Sequence, residues 1–73
     1  MTKVQALAEA RRRWGQRYGE IRHRGSQVLV GYMTYARGTS HFVIAGFGGT
    51  WEEAFSDADR RLAADANQRE KGA

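Results

Sequence analysis

No cysteine occurs in the 73-residue chain, so neither a disulfide framework nor a thiolate zinc site can brace the fold, and a thiol nucleophile is excluded. Proline is absent too, which argues against a linker or a low-complexity segment. Histidine is limited to His23 and His41, and two imidazoles without a third ligand at metal spacing do not make a zinc site. No apolar run approaches the roughly 20 residues of a membrane span, and the first twenty residues lack the hydrophobic stretch of a signal peptide. The expectation is a cytoplasmic chain with no membrane partner. A chain of this length buries only about 60% of the surface it exposes when unfolded, which allows one domain with one small core held by packing alone.

Charge is present but unevenly placed. Residues 1–24 carry seven cations against two acids, residues 25–49 contain Arg37 alone, and residues 50–73 carry four cations against six acids, within a net charge of +4. A basic front of this kind suits an anionic partner. Residues 3–14 contain no glycine and space Val4, Leu7, Ala8 and Trp14 along one side at helical periodicity. From Tyr18 to Phe47 the residues become β-branched and aromatic, which predicts strands at about 18–24, 27–36 and 40–47. The breaks at Arg24-Gly25-Ser26 and Arg37-Gly38-Thr39 are too short for parallel crossovers, so the sheet is an antiparallel meander. Thr50 followed by Glu53 reads as a capping box, with the Glu53 side chain returning to the Thr50 amide. Behind it Trp51, Ala54, Phe55, Ala58, Leu62 and Ala66 form an apolar helical stripe, giving a helix over 50–67 and a frayed tail at 68–73. The fold class is α+β, a single domain of order α-β-β-β-α.

That order, with Gly46-Phe47-Gly48-Gly49-Thr50 leading from the last strand into Ala54 and Ala58 of the last helix, resembles the double-stranded RNA-binding domain. The resemblance spans most of the chain and implies two helices packed on one face of the sheet. In that family lysines at the start of the second helix hold phosphates; the matching positions here are Trp51, Glu52 and Phe55, and the family's loop between strands 1 and 2 has no counterpart in Arg24-Gly25-Ser26-Gln27. Helix 1, with Gln5 and Glu9, retains polar residues of the sort that family lays in a minor groove. Thr50-Trp51-Glu52-Glu53-Ala54 also resembles the helix start of the arm-type DNA-binding domains and their plant counterparts, whose three-stranded sheets read DNA.

No catalytic constellation assembles. Ser26, Ser40 and Ser56 lack a strained nucleophile elbow, and Gly46-x-Gly48-Gly49 lacks the Lys-Thr pair of a phosphate loop and opens onto Glu52 and Glu53. Neither an enzyme nor a cofactor is expected. Arg11, Arg12, Arg13, Arg17, Arg22 and Arg24 are the candidate nucleic-acid contacts, although three adjacent helical arginines cannot all face one groove and also suit the C-terminal dipole. Arg22 and Arg24 share a strand face with Tyr18 and Glu20.

Alternation places Val28, Val30, Tyr32 and Thr34 on one side of strand 2 and Leu29, Gly31, Met33 and Tyr35 on the other. Strand 3 divides into His41, Val43, Ala45 and Phe47 against Phe42, Ile44 and Gly46. Both sides are apolar. Either one helix covers each face, or both cover one and the other is left for a partner, with Tyr32 and Tyr35 as candidate contacts. The function expected is a non-enzymatic protein that binds nucleic acid, or a nucleic-acid-handling complex, through its basic region. The alternative is a small inhibitor or adaptor for a protein partner, of the anti-CRISPR or host-takeover type that phages encode, and a homodimer would cover surplus apolar surface.

Overall fold

A computed structural model describes the backbone of residues 1–72 and the side chains of residues 1–67. The elements run α1 (Lys3–Trp14), β1 (Gly19–Arg24), β2 (Gln27–Ala36), β3 (Thr39–Gly48) and α2 (Trp51–Gly72). The expected α+β architecture of two helices and a three-stranded antiparallel sheet is therefore present, with strand order β1-β2-β3. No helix among the described residues is long and apolar enough to cross a membrane.

Each helix starts on a threonine. Thr2 Oγ1 accepts from the Gln5 amide at 3.2 Å while Gln5 Oε1 accepts from the Thr2 amide at 2.8 Å, so two of the orphan donors that begin α1 are satisfied. At the start of α2 Thr50 Oγ1 accepts from the Glu53 amide at 3.1 Å, but Glu53 Oε2 takes the Gly49 amide at 3.0 Å. The return bond thus lands one residue ahead of the expected Thr50 amide. Gly15, at φ 108°, ends α1, and Arg11, Arg12 and Arg13 occupy its last turn, where cations complement the helix dipole. The backbone of α2 is helical through Gly72, past the end expected at 67, since no proline or glycine interrupts it earlier. The expected tail at 68–73 falls on side chains outside the described residues.

Two-residue turns set the sheet register. Arg24 pairs with Gln27 and Ala36 with Thr39, and φ is positive at Arg37 (51°) and Gly38 (80°), the backbone sense that twists with a hairpin. The β2–β3 ladder then carries an irregularity: Val30 pairs with Gly46 but Gly31 with Ile44, leaving Ala45 as an extra residue. This bulge reverses the alternation behind it, so Gly46 joins the helix side and Phe47 the opposite side, the reverse of the unbroken alternation expected for strand 3.

Both helices lie on one face. Ala6 and Ala10 of α1, Trp51, Ala54, Phe55 and Ala58 of α2, and Ile21, Val28 and Val30 of the sheet form a single core. Close approach depends on residues without bulk. A Cβ at Gly46 would lie 2.3 Å from the Ala54 carbonyl oxygen, and one at Gly19 would lie 2.4 Å from the Ala10 backbone. Glycine in the strand faces alanine in the helix at both contacts.

Candidate functional site

Pairing the ladder residues shows what the helix-free face presents. Arg22, Leu29 and Phe47 form one row across the three strands, and Glu20, Gly31 and Ile44 form the next. The row after it is Tyr18, Met33 and Phe42, for the Met33 amide donates to the Tyr18 carbonyl at 2.8 Å just ahead of β1 and Met33 pairs with Phe42. Tyr35 follows, opposite Ser40, and Arg24 closes the other end beside Gln27. The rings of Tyr18 and Tyr35 meet at 6.1 Å with a 51° tilt, and both side chains are about half exposed.

Arg22 reaches along this face. Its guanidinium carbon sits 4.8 Å from the centre of the Phe42 ring, and its Nη2 approaches Met33 Sδ at 3.6 Å. Arg22 has no carboxylate partner among the described residues, and neither do Arg11, Arg17, Arg24 and Arg37. The acid on this face is Glu20, whose carboxylate accepts from the Ile21 amide at 3.0 Å. Leu29 is buried although no helix covers it, and it lies outside the interhelical core. The longer side chains of its own face therefore shield it.

The candidate arginines fall into two groups. Arg12 and Arg13 both engage Glu9, at 2.8 Å and 2.6 Å from their Nε atoms, and these hydrogen bonds, Arg12's foremost, lower the Glu9 pKa to about 2. Arg13 also donates to Asp59 on α2 at 2.8 Å and lies 4.8 Å from the centre of the Phe55 ring. It ties the end of α1 to α2. Arg22 and Arg24 are on the opposite side of β1 from α1, so they do not share a face with the Arg11–Arg13 triplet. Arg17 is exposed in the turn that leads into β1.

Tyr32 and Tyr35 also part. Tyr35 is on the helix-free face, whereas Tyr32 points to the helices, 6.2 Å from Trp14, which in turn stacks on Phe55 at 6.2 Å. Together with Val43 and Leu62, Trp14 and Tyr32 line a cleft of about 750 Å³ between the two helices and the sheet. Leu62 extends the apolar stripe of α2 past the sheet and is 70% exposed. His23 packs edge-on against Trp51 at 5.3 Å.

Phe42, Met33 and Phe47 are members of the helix-free face that composition and local pattern did not single out. The turns held the signal: with Ala36 opposite Thr39, counting back three residues on one strand and forward three on the other sets Met33 against Phe42. Comparisons with protein-family models, with curated proteins and with solved structures return no match.

Proposed function

We propose that this protein is a non-enzymatic nucleic-acid-binding module whose contact surface is the helix-free face of the sheet. The observation that carries this reading is the combination, on one face, of exposed aromatic rings with arginines that have no carboxylate partner among the described residues. An arginine already paired offers a phosphate little, because its donors are occupied and its charge is offset, while Arg22 and Arg24 keep their charge for an external anion. Arg17 and Arg37, exposed at the two turns toward the Tyr18 and Tyr35 end, extend the positive field along the face. The start of α2, with Glu52 and Glu53 in its first turn, repels phosphate, so the reading differs from the duplex clamp of the double-stranded RNA-binding domain that the topology resembles.

The test is a fluorescence anisotropy titration of labelled oligonucleotides with the wild-type chain and with the Arg22→Ser/Arg24→Ser double variant. Binding that weakens with added salt, and that the double variant lowers by roughly tenfold or more, is the expected outcome. Circular dichroism confirms that the variant is folded. Equal affinity of the two folded proteins removes these arginines, and with them this face, from the function.

A further inference from the structure

We infer that the helix-free face takes single-stranded nucleic acid, with Tyr18 and Tyr35 stacking on unpaired bases and Phe42 supporting the Arg22 guanidinium beside them. The inference rests on the reading above and specifies its ligand. Tyr18 and Phe42 flank Met33 in one row across the sheet, while Tyr35 is diagonal to Phe42 on the neighbouring strand. Diagonal positions of this kind are about 7–8 Å apart, within reach of aromatic side chains. The rings thus gather at one end of the face. The arginine side chains of β1 enter from the other end, with the Arg22 guanidinium over Phe42 as a further flat, charged surface.

Stacking needs a base whose π-face is open, and a duplex hides those faces between neighbouring pairs. Both helices are on the far side and the β2–β3 turn is two residues long, so the sheet face itself is what a nucleic acid would meet. Its exposed rings offer stacking surfaces in place of the hydrogen-bonding side chains that read base edges in a groove. Charge on the face is net positive, Arg22 and Arg24 against Glu20. The chemistry that fits is an anionic chain with exposed aromatic faces. Sequence discrimination is weak in such a site, because every base has a π-face.

The probes are oligothymidylate and oligouridylate of roughly 12 nucleotides, alongside a mixed-sequence duplex of the same length. Wild-type protein is expected to bind the single strands at least tenfold more tightly than the duplex, with the two single strands separating DNA from RNA. Tyr35→Ala is expected to weaken single-strand binding by about five- to a hundredfold, while Tyr35→Phe, which keeps the ring, stays within twofold of wild type. Tyr18→Ala repeats the loss at the neighbouring ring, and both side chains are exposed enough for the variants to fold. Duplex bound as tightly as single strand, with Tyr35→Ala unchanged, overturns the stacking inference and leaves the arginine reading standing. A loss shared by Tyr35→Phe assigns the hydroxyl rather than the ring and also overturns it. If no probe binds, both readings fail, and self-association abolished by Tyr35→Ala would make the face a protein interface instead.

Discussion

Glu9 holds two arginines at once, and the arrangement makes its carboxylate a titrating element of the fold. Hydrogen bonds from Arg12 and Arg13 hold its pKa at about 2 against an ordinary value of 4.5. A carboxylate depressed on folding contributes stability that is fully present above about pH 4.5 and declines as the pH falls, until below about 2 it is gone. In Glu9→Gln that component is missing at every pH. The thermal midpoint of the wild-type chain is therefore expected to drop more than that of Glu9→Gln when the pH is lowered from neutral toward 3, and calorimetry across that interval checks it. Parallel curves would show that the Glu9 pairs contribute nothing to folding. Asp57 has a related role on α2: it accepts from the Phe47 amide at 3.1 Å as well as from Arg60 and Arg61, which occupies a donor that edge strand β3 would otherwise leave open.

Helix and strand meet in this molecule at a glycine, and the geometry says how little can be added there. With a Cβ at residue 46 only 2.3 Å from the Ala54 carbonyl oxygen and 2.5 Å from the Ala58 nitrogen, α2 must lift off β3 to accommodate Gly46→Ala. Overpacked cores lose about 1–3 kcal/mol, and a clash with helix backbone belongs at the upper end of that range. Urea denaturation should show a midpoint far below wild type, whereas an unchanged midpoint would mean that the helix is not seated on the strand at this spot. Much at this scale was legible beforehand. The glycine-free run 3–14, the two short turns and the Thr50 signal together led to the α-β-β-β-α order, since each depends on local chemistry. The bulge at Ala45 was not legible, because an extra residue in one strand is set by pairing against Val30 and Gly31 and not by any neighbour in sequence. For the same reason the sequence could not choose between one covered face and two. Ala54 and Ala58 lie on the stripe expected for α2. In contrast, α1 buries Ala6 and Ala10 with Leu7 and Trp14 beside them and leaves the expected Val4 and Ala8 exposed, because the close seat on Gly19 selects the small residues. Which side of the sheet receives the helices is likewise a tertiary matter.

Across the whole molecule the twelve cations of the sequence do unequal work. Grouping Arg11, Arg12, Arg13, Arg17, Arg22 and Arg24 by nearness in sequence makes one basic region, yet folding spends Arg12 and Arg13 on internal pairs and turns Arg22 and Arg24 to the other side of β1. Salt dependence separates the two groups. Each phosphate neutralised on a single strand contributes about 0.7 to the slope of log affinity against log salt, because it displaces that share of a counterion. Arg22→Ser/Arg24→Ser is therefore expected to lower the slope by about 1.4 if each arginine meets one phosphate. Arg12→Ser leaves the slope near wild type and barely moves the urea midpoint, because its pair with Glu9 is exposed and screened by solvent. Arg13→Ser also leaves the slope near wild type, but it lowers the urea midpoint, since its side chain bridges Glu9 and Asp59 and covers Phe55, contacts worth about 1–2 kcal/mol together. Titrations at several salt concentrations, paired with urea unfolding of each variant, measure both quantities. A slope that falls in Arg12→Ser or Arg13→Ser while the fold stays intact would move the nucleic-acid contact from the open sheet face to the end of α1.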